Sequence, residues 1–437
     1  MKHEPFWVVS KIPTVESWEI GFNSSDHCVR GRSESILVTR PRITTLVLTL
    51  AWLQPLIIHR TGIPLASLLL GILGVLAVCD RLLKGSKIPI LGWPASFGYA
   101  GLIWATLVVL SGSNLQNLTV WLTLFVAILL GPWVGAASLP FTRVVVLRSA
   151  EIGLFLAIVA VFLERFISAS LFGLITEPQS VERAAALAPN PNAGALYLMV
   201  GLILVAALGH RGSSQAPARF VRTCLLVAGF WALIQTGSRG AMLGLACASI
   251  VGLFLYGNRV GDSRQSAIYR VLASALTGVC IAFYLGLLPQ AIQERLSLQT
   301  RLGSTGDRFE IWRAATALID QNPILGVSEF SAQGYGVNNA HNTILEAAIR
   351  YGLPGAVLLT LAFCSFLVLF YQRRWTSVMA WAGLLLLTAT GIYSLSHTGI
   401  LDNTYVWVVT GMLAFAAREG QAVVKSASPP PIHSSRP

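Results

Sequence analysis

Residues 341–370 read HNTILEAAIRYGLPGAVLLTLAFCSFLVLF. His341 and Asn342 open the run, and from Thr343 onward it is mostly apolar and long enough to cross the hydrocarbon core of a bilayer, about 30 Å. The stretch therefore predicts a membrane-spanning helix over 343–370 that begins at a polar loop. A histidine at the mouth of an apolar segment indicates chemistry at the membrane surface.

The composition of the whole chain extends this prediction. The sequence has 437 residues, of which 54% are hydrophobic and 11% are charged, whereas soluble proteins carry about 25% charged residues. Apolar runs of spanning length recur along almost the whole chain. We predict an all-α, polytopic membrane protein with about twelve transmembrane helices, near residues 43–58, 62–79, 93–110, 119–136, 147–163, 193–208, 219–236, 240–257, 271–288, 343–370, 376–394 and 404–417.

The positive charge of the chain orients these helices. The net charge is +12, but the basic residues lie in short loops between apolar runs, as orientation signals do. No basic stripe with interleaved aromatic residues is present, so a nucleic-acid partner is excluded. Placing both termini in the cytoplasm leaves only nine of the 31 Lys and Arg residues outside, and all nine are arginines. Residues 1–42 are then a cytoplasmic N-terminal tail, 43–417 the twelve-span membrane domain, and 418–437 a disordered cytoplasmic tail.

Two of the predicted outer loops are long, covering residues 164–192 and 289–342. Loops of this length are usually either functional or disordered. In the second loop, Phe309, Trp312, Ala315 and Ile319 recur at helical spacing. The pattern predicts a short amphipathic interfacial helix, over residues 307–320, that lies on the outer membrane surface.

Three sequence motifs occur in order on the predicted outer side. The first is His341-Asn342 followed, after nine residues, by Gly352-Leu353-Pro354-Gly355. The second is TGSRGA at 236–241, and the third is RFEIW at 308–312 followed by NPILG at 322–326. Together they resemble the O-antigen ligase and O-antigen polymerase superfamily, which are bacterial envelope glycosyltransferases of the GT-C type.

The resemblance implies a function, a location and partners. Members of this superfamily move a glycan from undecaprenyl diphosphate to an acceptor hydroxyl at the periplasmic face of the bacterial inner (plasma) membrane. We expect an O-antigen ligase that uses lipid A–core as acceptor, inverts the anomeric carbon and needs neither metal nor cofactor. The partners would be the undecaprenyl-diphosphate-linked glycan donor, the lipid A–core or glycan acceptor, and membrane lipid.

Two alternatives remain open. An O-antigen or exopolysaccharide polymerase shares the donor chemistry and differs only in its acceptor. A lipid-linked glycan flippase also fits twelve spans, but a transporter should carry charges at mid-membrane depth. The predicted sixth to tenth spans contain few ionisable residues, which favours an enzyme.

His341 and Arg239 are the predicted catalytic residues. A neutral imidazole can take the proton from an acceptor hydroxyl, and its usual pKa near 6.5 leaves it mostly neutral at pH 7. A fixed guanidinium can stabilise the charge that develops on the departing diphosphate. Arg239 lies where an apolar helix meets the outer interface, a costly place for a charge.

The remaining candidates would bind substrate. They share a place in the motifs or in the outer loops: Arg183, Asn342, Ser238, Arg308 and Asp402. The second ligand of the diphosphate is either Arg183 or Arg308. Asp402 could orient His341 or pair with Arg239, and His397 competes with His341 for the role of base.

Overall fold

The structure is a computed structural model that describes residues 31–54, 65–83, 92–111, 128–136, 138, 141–166, 184–188, 190–209, 216–257, 298–327, 340–397 and 403–426. The chain divides into two units, Met1–Arg40 and Pro41–Pro437. Of the first unit the structure describes residues 31–40, which are helical. The candidate site lies in the second unit.

The regular structure of the described residues is helical, because helices satisfy every backbone polar group within an apolar segment. In chain order the helices are α1 Gly31–Trp52, α2 Leu65–Leu83, α3 Trp93–Leu110, α4 Thr142–Phe166, α5 Pro191–Gly209, α6 Ala216–Thr236, α7 Arg239–Gly257, α8 Leu298–Gln321, α9 Thr343–Arg373, α10 Val378–Ser394 and α11 Thr404–Ser426.

Four of these helices, α4, α5, α6 and α9, are long and apolar enough to cross a membrane. Shorter apolar helices lie within α2, α3, α7 and α10. The prediction of an all-α, polytopic membrane protein is confirmed. The predicted span at 271–288 and the first half of the one at 119–136 lie outside the described residues, so the number twelve stays a prediction.

The bundle is built around α5 and α10. Helix α5 is apolar on all sides and nearly all of its residues are buried, as expected for a helix in the centre of a bundle. It packs against α4, α6, α7 and α10, while α10 also packs against α7, α9 and α11. These two helices therefore hold the ends of α7 and α9, where the catalytic candidates lie, in one core.

Helix α9 is kinked at Gly352, which has φ 72° and ψ 173°. The break frees backbone groups that find partners elsewhere: Trp104 Nε1 of α3 donates to the Tyr351 carbonyl at 2.9 Å, and Leu353 N donates to the Pro323 carbonyl at 2.8 Å. A Cβ at Gly352 would overlap the Ile324 carbonyl oxygen. The turn that follows α8, residues 322–327, thus packs into the kink. This turn contains the second half of the third motif.

Helix α8 is longer than the short helix that we predicted over 307–320, because it covers Leu298–Gln321. Its buried face contains Ile311, Ala315 and Ile319, which join the core of the bundle. Phe309, which we predicted on that face, is 58% exposed. The covered stripe contains residues 308, 311, 312, 315 and 319, so the prediction had 312, 315 and 319 right and took Phe309 in place of Ile311.

Two predicted boundaries also differ from the structure. Helix α1 begins at Gly31, so residues 31–42 of the predicted N-terminal tail are helical. Helix α11 continues to Ser426, so residues 418–426 are helical rather than disordered. In both places the helix continues past the apolar run, which alone had set the predicted boundary.

Candidate functional site

The backbone at His341 has an unusual conformation. His341 has φ 51°, in the left-handed region that few residues other than glycine adopt, although histidine is among the more tolerant ones. Asn342 follows as the N-cap of α9, and its side-chain oxygen accepts from Ile344 N at 3.0 Å and Leu345 N at 3.1 Å. Strained backbone of this kind persists only where its surroundings hold it, and it is concentrated at functional sites.

Two side chains hold this backbone by hydrogen bonds to Ala340, the residue before His341. The N–H of Ala340 donates to Glu346 Oε2 at 2.7 Å, and its carbonyl accepts from Trp312 Nε1 of α8 at 3.0 Å. The Glu346 side chain is only 1% exposed, and its other oxygen accepts from Arg350 Nε. Sequence analysis overlooked Glu346, although a carboxylate one turn inside an apolar helix is costly to bury and so was itself a signal.

Arg308 lies one helical turn before Trp312 on α8, and residues spaced by four share a helix face. It is partly buried, and the hydrogen bond from Trp312 to Ala340 brings this face of α8 to the residue that precedes His341. Burial lowers the pKa of His341 from its usual value of 6.5, and the charge of Arg308 lowers it further. Burial also lowers the pKa of Arg308. The Arg308 guanidinium and the neutral His341 imidazole are therefore both partly buried.

The end of α10 also contacts the residues around His341. Thr343 Oγ1 donates to the His397 carbonyl at 2.7 Å, and Asn342 Nδ2 donates to the Leu395 carbonyl at 3.4 Å. The rings of His341 and His397 have their centroids 6.3 Å apart. Both polar groups of the Asn342 amide are thus used within the protein, and its predicted contact with substrate stays a prediction.

Arg239 is the first residue of α7, after a tight turn from α6 in which Gly237 has φ 61°. Ser238 is 2% exposed; its N–H donates to Thr236 Oγ1 at 3.2 Å and its carbonyl accepts from Met242 N at 3.1 Å. Arg239 is half-buried. The turn places Arg239 at the end of two apolar helices, as the sequence predicted, while Ser238 serves the turn.

Contacts through α10 bring the Arg239 turn and the His341 loop to the same end of the bundle. A Cβ at Gly240 would overlap Ser396 Oγ and would also touch Tyr393. His397, the next residue after Ser396, stacks on Tyr393 with ring centroids 5.2 Å apart and faces His341. The lack of a side chain at Gly240 thus lets the end of α10 approach the Arg239 turn closely.

The start of α5 lies at this end too. Tyr393 Oη donates to the Asn192 carbonyl at 2.9 Å. Ala184 N donates to the Gln235 carbonyl, four residues before Arg239, at 3.1 Å, and Ala185 N donates to Glu164 Oε2 at 2.7 Å. Arg183 and Asp402, two predicted substrate-binding residues, lie outside the described residues.

An apolar groove on the bundle surface lies apart from these residues. It has a volume of about 680 Å³ and is lined by side chains of α4 and α6, among them Phe162, Phe166, Val227 and Trp231. None of the predicted site residues lines it. Its lining is mostly apolar and suits hydrocarbon.

Comparison with known protein families agrees with the motifs. Residues 224–360 match a family described as O-antigen ligase, and this segment includes Arg239, Arg308 and His341. No curated protein matches the chain. The resemblance to the O-antigen ligase superfamily is confirmed, and the chain carries a domain of that family. This domain and the apolar helices indicate a bacterial membrane protein with a glycosyltransferase-like activity of the ligase or polymerase type.

Proposed function

We propose that the chain, which carries an O-antigen ligase family domain, transfers a glycan from undecaprenyl diphosphate to an acceptor hydroxyl. The acceptor is lipid A–core, and the reaction takes place at the periplasmic face of the inner membrane, with both termini in the cytoplasm. The observation that carries the proposal is the hydrogen bond from Trp312 to Ala340, because it brings the face of α8 that contains Arg308 to the residue before His341. Attack on a sugar linked to a diphosphate needs a base and a cation close together.

In this proposal His341 is the base. The acceptor oxygen forms a bond to the anomeric carbon as the bond from that carbon to the diphosphate oxygen breaks. The hydroxyl proton passes to the imidazole, and the diphosphate leaves with the electron pair of the broken bond. The lowered pKa of His341 keeps the ring neutral at pH 7 and so able to accept the proton. Direct displacement inverts the anomeric carbon.

Arg308 and Arg239 stabilise the departing diphosphate. Guanidinium groups are permanently charged and match the geometry of phosphate oxygens. Arg308 is already partly desolvated beside the base, and desolvated charges interact more strongly with a developing anion than solvated ones do. Its closeness to His341 supports Arg308 as the second diphosphate ligand beside Arg239.

The two alternative functions, polymerase and flippase, predict different glycans in the cell. A polymerase would use the same residues but would join repeat units to each other. A flippase would need its charges inside the bundle at mid-membrane depth, whereas Arg239 is the first residue of α7 and His341 precedes α9. The position of both residues at helix ends favours transfer over transport.

Glycan analysis of a deletion strain of the host bacterium tests the proposal. Long chains that accumulate on the lipid carrier while the core stays bare are the expected result. Cores capped by a single repeat unit would identify a polymerase instead. Donor that remains on the cytoplasmic side of the membrane would identify a flippase and overturn the proposal.

Single-residue variants then test the role proposed for each residue. Expressed in the deletion strain, His341→Ala, Arg239→Ala and Arg308→Ala should accumulate in the membrane but fail to restore surface glycan. Arg313→Ala is the matched control for Arg308→Ala, because Arg313 lies on the same helix, is 78% exposed and pairs with Glu310 one turn away. Normal surface glycan in His341→Ala would refute the mechanism.

A further inference from the structure

We propose that Trp312 and Glu346 are positioning residues that hold His341 in place. They do so by hydrogen bonds to the backbone of Ala340 from two helices, a pair of bonds called here the grip on Ala340. The inference rests on the function proposed above, since it concerns the orientation of the proposed base. Trp312 binds the carbonyl of Ala340 and Glu346 binds its N–H. Neither side chain needs to touch a substrate.

The grip explains why His341 can keep a left-handed backbone. A non-glycine residue with positive φ is higher in energy than the same residue in an extended or helical conformation, so it persists only where its neighbours hold it. Ala340 is fully buried and both of its backbone polar groups are bound, so its peptide planes cannot rotate without breaking a buried hydrogen bond. Asn342 is bound as the N-cap of α9. His341 is therefore held between two residues that cannot turn.

The grip on Ala340 also connects the position of His341, the proposed base, to that of Arg308, the cation. Trp312 and Arg308 are one turn apart on α8, so the indole that holds Ala340 also sets the distance between Arg308 and His341. Glu346 acts from the other side, on α9, and its buried carboxylate is paired with Arg350. The two positioning residues thus define the base relative to both helices that build the site.

The first test replaces one indole donor. Trp312→Phe keeps an aromatic ring but removes the indole N–H that binds Ala340, together with part of the ring volume. Trp104→Phe is the matched control, because it loses the same volume and the same kind of indole–carbonyl bond, at 2.9 Å, to Tyr351 of α9. The proteins would be assayed in nanodiscs with lipid-linked glycan and lipid A–core extracted from the host.

The expected result separates positioning from stability. Trp312→Phe should lower kcat by about ten- to a hundredfold, the scale of a misplaced catalytic group, while KM for the donor changes by less than about twofold. Trp104→Phe should keep kcat, although both variants lose a comparable hydrogen bond and should lose similar thermal stability. Equal kcat values for the two variants would overturn the inference.

A second pair of variants tests Glu346 and covers a failure of Trp312→Phe to fold. Glu346→Gln and Glu346→Met both lose the ion pair with Arg350, but only glutamine keeps an oxygen that can accept from Ala340 N. We expect glutamine to retain several times the kcat of methionine at similar membrane content. Equal rates would contradict a role of Glu346 in positioning.

His341→Ala distinguishes this inference from the proposed function. If His341→Ala is inactive and Trp312→Phe has wild-type kcat, the grip on Ala340 is refuted and the proposed function stands. If His341→Ala is fully active, the proposed function itself fails.

Discussion

The imidazole rings of His341 and His397 lie with their centroids 6.3 Å apart and their planes inclined by 62°. Each ring is held in a different way. His341 follows the gripped residue Ala340 and lies beside Arg308, whereas His397 stacks on Tyr393 and offers its carbonyl to Thr343. Two histidines thus lie close together in different surroundings.

The first prediction concerns which histidine is the base. His341→Gln should lower the transfer rate by about 10²–10⁴-fold, the usual contribution of general base catalysis. His397→Gln should lower it by less than about tenfold, because the carbonyl that binds Thr343 remains. Transfer assays on the two variants in nanodiscs measure the difference. The reverse order of activities would make His397 the base.

The second prediction concerns pH. The base acts only when neutral, so the rate falls as the pH drops through the pKa of His341. Burial and the charge of Arg308 hold that pKa below 6.5, so the fall in log(kcat/KM) should begin below pH 6.5. Arg308→Gln removes one of the two causes, and the fall in its residual activity should move to higher pH.

Arg313→Gln is the control for this shift, since its side chain is 78% exposed and pairs with Glu310. Its pH profile should match that of the unmodified protein. A profile of Arg308→Gln that also matches would show that Arg308 does not act on the base.

The third prediction concerns the kink of α9. Gly352→Ala should destabilise the protein by at least about 1–3 kcal/mol, because alanine at φ 72° is strained and its Cβ would overlap the Ile324 carbonyl. Gly71→Ala is the control: Gly71 is helical and open around its Cα, so alanine there should be neutral or stabilise by up to about 1 kcal/mol. Thermal unfolding in detergent measures both, and equal melting temperatures would contradict the described kink.

The fourth prediction concerns the contact between α7 and α10. Gly240→Ala places a methyl group against Ser396 Oγ and should lower transfer several-fold by shifting the Arg239 turn from the His341 loop. Adding Ser396→Ala removes the obstructing atom and should restore part of the rate. Residues in contact are expected to be non-additive in this way. Strict additivity of the two changes would show that the residues do not touch.

Local sequence patterns predicted the helix bounds well where an apolar run is bordered by a capping residue or a turn. Helix α9 was predicted over 343–370 and is Thr343–Arg373, and α7 was predicted over 240–257 and is Arg239–Gly257. Asn342 is a good N-cap and the turn at Gly237 separates α6 from α7, so these boundaries depend on neighbouring residues alone.

The parts of the site that escaped prediction depend on distant residues. The face of α8 is chosen by its packing on the bundle, so Phe309 could not be distinguished from Ile311 by spacing within one helix. Glu346 binds a residue outside its own helix, and Trp312 reaches one that is 28 positions away. Spacing along the chain carries no record of such contacts, although the three motifs marked the segments that meet.

The docking of the 322–327 turn into the kink of α9 has a mechanical consequence. The C-terminal half of α8 and the turn after it are held at two places: Trp312 donates to Ala340, just before α9, and Val327 N and Leu353 N form hydrogen bonds at the kink. Two separate attachments oppose rotation of this part of α8 about either one. We therefore expect the end of α8 and the His341 loop to move as one body, so that acceptors of different size are accommodated by other segments of the chain.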